Sequence, residues 1–343
     1  MDDRIRLAIL GCGAITRSAH LPAVLAHPGV RVVALVDSDL QRARALAMTH
    51  RLECKSICDH RELLSEVDAV INALPNHLHA PVNLEFLRKG IHVLCEKPVA
   101  LTIAEARACC EAADERKLVF AVGMNRRFEP SSLILRSVLD ESLLGDLQGY
   151  DWEYGAPYDW ETASGFYFAR AQAGGGVLLD YGVHLLDRLL AWFGPVTLFD
   201  YQDDNRGGGI EANAILGLRH SGPFGDIAGR IRLSRTCTLQ NGLLVRGKQG
   251  CAEISVEDES AVTLYRQIAG QEVSMVVRLA RNTGPSGSFL RQLDNFVQAI
   301  KGAQKLVADG WQAVAVIELV QHCYEQARRL PEPWSEIPET TAR

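Results

Sequence analysis

The stretch Ile5-Arg6-Leu7-Ala8-Ile9-Leu10-Gly11-Cys12-Gly13-Ala14-Ile15-Thr16 decides the fold. An apolar run of strand length stops on a Gly-x-Gly turn, and the residues after it read as the start of a helix. Working outward, the pattern repeats. Residues 31–36 are rich in β-branched side chains and end at Asp37. Residues 67–74 end at Pro75-Asn76, residues 91–94 run into Glu96-Lys97-Pro98, and residues 117–122 form a fifth apolar run. Helical stretches lie between them at 40–47, 81–89 and 103–116. Short apolar strands alternating with helices predict a parallel sheet with right-handed crossovers, the doubly wound architecture of nucleotide-binding domains.

The pattern changes after about residue 125. A helix at 131–139 leads into an aromatic segment at 147–168, and a second helix at 179–193 stops at Gly194-Pro195. Alternating runs follow at 211–218, 224–233, 241–246, 252–256 and 261–267, with turn clusters and no long helix between them. That reads as a mostly antiparallel sheet. Helices at about 288–301 and 310–329 come last, and the segment from Pro331 is rich in Pro and Glu, an expected arm. The expected division is 1–125 for the nucleotide domain and 126–343 for an α/β domain on a large, open, mostly antiparallel sheet. A length of 343 residues suits two domains at about 150 residues each.

Composition narrows the function. The chain carries 36 Lys+Arg against 42 Asp+Glu, a formal charge of -6, with 47% apolar and 23% charged residues. These are globular values. The acidic balance argues against nucleic acid as a partner. No apolar stretch is long enough to span a bilayer, and Asp2, Asp3, Arg4 and Arg6 precede the first apolar run, so neither a membrane anchor nor a leader is expected. Nine scattered cysteines suit a reducing cytoplasm. Cys54, Cys58 and His60 cluster, but no nearby fourth ligand completes a four-coordinate site, so no metal is expected.

Three motifs carry chemistry. Gly11, Gly13, Ala14 and Ile15 open a helix whose N-terminus can meet a pyrophosphate. Thr16 stands where a third glycine is usual. Asp37, 26 residues after Gly11, has the spacing of a carboxylate that accepts bonds from an adenosine ribose and repels a 2′-phosphate. NAD is therefore favoured, with Arg42 and Arg44 as residues that would admit NADP. Lys97 ends a strand at the edge where ligands of open α/β sheets sit, so its ammonium can stabilise a developing alkoxide. Asp180, His184 and Asp187 are spaced to share one face of an apolar helix after Gly174-Gly175-Gly176. A polar stripe there is costly unless it faces partners or a site, and a His beside a carboxylate suits a general base. Trp160, in a polar Asp-Trp-Glu-Thr context, is an expected substrate-facing ring, and Arg127 is either a substrate-anion contact or a structural ion pair.

The order Gly11-x-Gly13, Pro75-Asn76-x-x-His79, Glu96-Lys97-Pro98, then Gly174-Gly175-Gly176…Asp180…His184 resembles the glucose–fructose oxidoreductase, inositol dehydrogenase and rhizopine catabolism (Gfo/Idh/MocA) family. The resemblance runs over the whole chain and includes Asn125-Arg126-Arg127-Phe128. It implies a Rossmann domain and hydride transfer between a nicotinamide and a carbinol carbon of a sugar, cyclitol or related polyol. It also implies a homodimer or homotetramer formed through the C-terminal sheet. Carried across, Lys97 contacts cofactor and substrate, His184 is the acid/base, and Asp180 binds substrate or orients His184. Asp187 is a further substrate contact. Pro75, Asn76 and His79 line the nicotinamide side of the cleft, with Glu96 in the cofactor set. Cys95 replaces the usual Ala before Glu-Lys-Pro. Three other readings use much of the same set: a nucleotide-sugar ketoreductase using NADPH, a glycosidase using NAD transiently, and a sugar or NAD sensor without turnover.

Overall fold

A computed structural model describes residues 3–159, 165–205, 210–279 and 287–330. The chain divides into two compact units, each assembled from three separate segments. Unit 1 comprises Met1–Glu129, Glu161–Gly174 and Arg281–Glu318, and unit 2 comprises Pro130–Trp160, Gly175–Ala280 and Leu319–Arg343. A single cut at residue 125 therefore does not reproduce the two units.

In unit 1 a six-stranded parallel sheet is built from β1 (Ile5–Leu10), β2 (Val30–Val36), β3 (Lys55–Ile57), β4 (Ala69–Asn72), β5 (His92–Cys95) and β6 (Phe120–Val122). The spatial order is β3-β2-β1-β4-β5-β6, so the winding reverses between β1 and β4. Helices α1 (Leu21–Ala26), α2 (Leu40–Thr49), α3 (His79–Arg88) and α4 (Ile103–Glu115) are the crossovers. The central strands are largely apolar because both faces of a parallel sheet are covered. Leu7, Ile9, Leu35, Ile71 and Leu94 are each at most 1% exposed. Local signals start the helices. Asp39 accepts from the backbone of Gln41 at 3.0 Å, and Thr102 and Glu105 form a reciprocal capping box at the head of α4. The short helix α6 (Arg170–Ala173) and the late helix α8 (Ser288–Ile300) belong here as well, and Leu293, Phe296 and Val297 of α8 join the cluster that holds Leu7, Ile9 and Leu21.

Unit 2 contains α5 (Pro130–Asp140), α7 (Val183–Phe193) and a nine-stranded sheet. Its strands are β7 (Leu147–Gly155), β8 (Val196–Asp203), β9 (Asn213–Gly222), β10 (Gly225–Ser234) and β11 (Gly242–Gly247). They are followed by β12 (Gly250–Ser255), β13 (Ala261–Ile268), β14 (Gln271–Arg278) and β15 (Arg328–Arg329). The order is β14-β13-β12-β11-β7-β10-β9-β8-β15, antiparallel except where β7 meets β10 and β8 meets β15. The expected α/β class and mostly antiparallel sheet are both present.

Five strands escaped the sequence reading, among them β8, which follows the stop at Gly194-Pro195, and β15, two residues at the end of the expected last helix. β3 has only three residues, β14 is largely exposed and so lacks an apolar stripe, and β7 lies inside the aromatic segment. Among the described residues two of those aromatics are core: Tyr150 and Trp152 are each 1% exposed, and Tyr150 stacks on Phe193 with centroids 5.4 Å apart, whereas Phe168 is 63% exposed. Among the described residues no helix is long and apolar enough to cross a membrane.

Candidate active site

Register decides what lies along the carboxyl edge of the unit 1 sheet. Leu10 pairs with Val36 and with Asn72, Asn72 with Cys95, and Cys95 with Val122. The next residue of each strand is thus placed in one row: Gly11, Asp37, Ala73, Glu96 and Gly123. The row crosses the point where the winding reverses, which is where ligands of open α/β sheets bind.

Gly11 has φ +90°, and a Cβ there would lie 2.4 Å from the Ala73 carbonyl oxygen, so only glycine fits. At Gly13 a Cβ would meet nothing within 4 Å, and residues 13–15 are part-exposed at the start of a helix running to Ala26. The turn is tight on its protein side and open on the other, as a bound pyrophosphate requires. Thr16 is fully buried and its hydroxyl donates to the Gly11 carbonyl at 2.6 Å, so it braces the turn that a third glycine would have left unbraced.

Asp37 is 5% exposed. One carboxylate oxygen accepts the Cys12 N–H at 2.9 Å, and the other accepts the Asp39 N–H at 2.9 Å and Arg42 Nη1 at 2.8 Å. The carboxylate thus stands beside the glycine turn, as the ribose role needs, and it already holds the guanidinium of Arg42. Burial, with Asp37 adding to it, pushes the Cys12 thiol up to about 12.

Lys97 follows the row and is part-exposed. Beside it, Glu96 is buried. One oxygen accepts from His20 Nε2 at 2.7 Å and the other from the Lys97 N–H at 3.1 Å. Burial raises the Glu96 carboxyl, but the His20 hydrogen bond and charge, with Lys97, bring it below the usual value. Glu96 is therefore a carboxylate engaged within the protein. His79 heads α3 at 1% exposure, its ring nitrogens 2.6 Å from the Pro98 carbonyl and 2.7 Å from the Leu74 carbonyl. Asn76 donates to the Ala173 carbonyl at 2.9 Å, and Pro75 beside it is part-exposed. Cys95 is fully buried, which pushes its thiol well above the usual value.

In unit 2 the helix from residue 177 to 193 begins with a wide π-type turn over Leu178–Gly182 and continues as α7. Such turns are frequent at functional sites. Its head is held by Glu211, which is 0% exposed: the carboxylate accepts the N–H groups of Gly176 at 2.9 Å and Leu178 at 3.1 Å and the Tyr324 hydroxyl at 2.8 Å. Asp180 lies in the π turn and accepts from Arg235 Nη2 at 2.7 Å. Arg235 is 7% exposed and lies over the Tyr158 ring at 5.0 Å. His184 and Asp187, further along the same helix, are 9% and 1% exposed.

The row gathers Gly11, Asp37 and Glu96, with Gly13, Ala14, Ile15 and Lys97 adjoining it, while Asp180, His184 and Asp187 share one helix of unit 2. Arg127 is 9% exposed and donates to the Val307 carbonyl at 2.7 Å and to Gln312 Oε1 at 2.9 Å, so it ties its turn to a later segment of unit 1. Trp160 lies outside the described residues. His60 meets Glu85 at 3.0 Å, and among the described residues no group of three His, Cys, Asp or Glu side chains is placed to hold a metal ion.

The sequence reading missed His20, Glu211, Arg235 and Tyr158. Each is distant in sequence from the residue it serves, and no local pattern marks it. The one available signal was indirect: a carboxylate directly after an apolar strand, like Glu96, needs a buried donor.

Comparison with known proteins agrees with this fold. The model of an oxidoreductase family with an NAD-binding Rossmann fold matches residues 5–124, and the Gfo/Idh/MocA C-terminal domain model matches residues 133–253. Inositol 2-dehydrogenase of Rhizobium meliloti is 33% identical over 144 residues, 42% of this chain and 43% of that protein, so this match spans less than half of the relative. D-glucoside 3-dehydrogenase of Escherichia coli is 25% identical over 94% of this chain and 95% of that one. The structure of a levoglucosan dehydrogenase in complex with NADH and levoglucosan superposes with a TM-score of 0.84 at 18% identity, covering 94% of this chain and 97% of that one, which is a likeness of fold. With family models matching both halves and the strand-end row in place, the chain belongs to the Gfo/Idh/MocA family of oxidoreductases and carries its NAD-binding Rossmann domain.

Proposed function

We propose that this oxidoreductase transfers a hydride between NAD, or NADP, and a carbinol carbon of a sugar, cyclitol or related polyol. The observation that carries the reading is the strand-end row: a glycine turn closed toward the protein and open outward, with Asp37 beside it and Lys97 following Glu96. The residues fit a dinucleotide. Gly11, Gly13, Ala14 and Ile15 would hold the pyrophosphate, Asp37 the adenosine ribose, and Pro75, Asn76 and Lys97 the nicotinamide end. When bound, the nicotinamide supplies the hydride acceptor in oxidation and the donor in reduction.

The chain's own groups handle proton and charge. His184 takes the proton of the substrate hydroxyl, and Lys97 stabilises the negative charge that develops on that oxygen. Asp180, fixed by Arg235, orients the substrate or the imidazole, and Asp187 is a further contact. Arg42 at the Asp37 carboxylate offers a cation to a 2′-phosphate, which is why NADP stays within the reading. The sheet of unit 2, with Phe199 56% and Val276 61% exposed, is the surface assigned to contact between copies of the chain in a cytoplasmic homo-oligomer.

Titration of the purified protein with NADH and NADPH, followed by a sugar and cyclitol panel read at the nicotinamide absorbance, tests the reading. Lys97→Ala and His184→Ala are expected to lower turnover on the order of 1,000-fold while NADH affinity stays within about three-fold. Loss of NADH binding in both variants, with the fold intact, overturns the assigned roles. NADH binding without turnover across the panel shifts the assignment to a nucleotide-sugar substrate, transient NAD use or sensing.

A further inference from the structure

A lysine side chain has four rotatable bonds, so an ammonium aimed at one oxygen needs a backbone that does not move. The backbone around Lys97 is held from both sides by buried imidazoles. On one side His20, 3% exposed, donates to Glu96 Oε1 at 2.7 Å, and Glu96 Oε2 accepts the N–H of Lys97 itself. The His20 ring is fixed in turn, edge-on to Phe289 with centroids 5.1 Å apart. On the other side His79, 1% exposed, faces the carbonyl of Pro98, the residue after the lysine, and the carbonyl of Leu74, the residue before Pro75-Asn76. Burial pushes the His79 imidazole down from its usual value, while its two carbonyl partners push it up. A singly protonated ring donates to one carbonyl only. The pocket around Glu96 has no slack, because a Cβ on Gly123 would lie 3.0 Å from the Glu96 carboxyl carbon.

We propose that His20 and His79 are positioning residues for Lys97: each fixes one flank of the lysine, and together they set where its ammonium points. The assignment rests on the reading of Lys97 as a catalytic group. It gives His79 a role other than lining the cofactor cleft, and it gives Glu96 a role other than touching the dinucleotide. His20 also lies on the helix that opens at the glycine turn, so the pyrophosphate-binding helix and the lysine share one hydrogen-bonded chain.

The test uses the full-length protein and four variants: His79→Gln, His79→Leu, His20→Gln and Lys97→Ala. Three properties are measured on each folded variant, the third only where Lys97 is kept. They are kcat and KM on the substrate found above, NADH affinity by fluorescence, and the rate at which acetic anhydride labels Lys97 relative to exposed Lys301, read by mass spectrometry without cofactor. A misplacement of about 1 Å can cost on the order of 100-fold. His79→Leu is therefore expected to lower kcat by about 10- to 100-fold, with KM and NADH affinity within about three-fold and Lys97 labelling changed by at least about three-fold. His79→Gln keeps an N–H donor between the two carbonyls and should recover most of kcat, while His20→Gln should fall between the two. If His79→Leu does not fold, Gly123→Ala takes its place, since its Cβ would press on the Glu96 carboxyl that accepts the Lys97 N–H. Unchanged kcat and labelling in the folded histidine variants overturn the proposal. So does a loss of NADH affinity as large as the loss of kcat, which would place the histidines in cofactor binding. If Lys97→Ala keeps wild-type turnover, the catalytic reading of Lys97 fails, while the labelling rates still decide whether the histidines hold it.

Discussion

Gly11-Cys12-Gly13 and Gly174-Gly175-Gly176 look alike in the sequence: a small-residue turn, then a helix. They are built for opposite purposes. Beyond Gly13 a Cβ would meet nothing within 4 Å, whereas a Cβ on Gly176 would lie 1.9 Å from the Glu211 carbonyl and one on Gly175 would lie 2.1 Å from the Tyr324 hydroxyl. The first turn leaves room at a helix start for an anion brought from outside. The second has its anion supplied internally, because the Glu211 carboxylate already takes the N–H groups of Gly176 and Leu178. A glycine-rich turn before a helix therefore marks a ligand site only when the protein has not filled the helix terminus itself.

Substitutions at the two turns should separate cleanly. Gly176→Ala drives a methyl into backbone, and a cost of about 3 kcal/mol or more is expected, seen as a melting temperature lower by roughly 10 °C. A change below about 2 °C would break the comparison. Gly13→Leu fills the open side instead. It is expected to weaken NADH on the order of 100-fold, about 2.7 kcal/mol, with the melting temperature nearly unchanged. Weakened melting with intact NADH binding would reverse the assignment of the two turns.

The smallest effect concerns the internal anion. Burial outweighs the donors around Glu211 and raises its carboxyl above the usual 4.5. A raised folded-state value means that this group's contribution to stability is fully present below pH 4.5 and is lost as pH rises through the folded-state value. Glu211→Gln does not titrate. The melting difference, wild type minus Glu211→Gln, should therefore shrink between pH 4.5 and pH 7, and a difference that grows would show an anion held at no cost.

Much of unit 1 was legible because its strands are continuous apolar runs and its chemistry sits at their ends. Gly11, Asp37, Glu96 and Lys97 could be placed on one edge from strand counting alone, since register follows once the runs are aligned. The helix of Asp180 and His184 was legible for a related reason, a polar stripe on an otherwise apolar stretch. What was not legible is how these groups are held. Arg235 stands 55 residues from Asp180 and His20 stands 76 from Glu96, and such pairings depend on which loops the fold brings together. Arg127 was read with two roles in balance, and hydrogen-bond partners of its guanidinium, Val307 and Gln312, come from a segment far along the chain.

That late segment has a consequence for how the protein is made. Phe296 is 0% exposed and, with Leu293 and Val297, packs into the same cluster as Leu7 and Ile9. On a ribosome, α8 emerges only after every strand from β1 to β14 has been synthesised. The nucleotide-binding unit begins first and is completed nearly last, so its apolar surface waits uncovered while unit 2 is being translated. A nascent chain halted before residue 288 would display that surface, and it is there that a chaperone has the longest opportunity to bind.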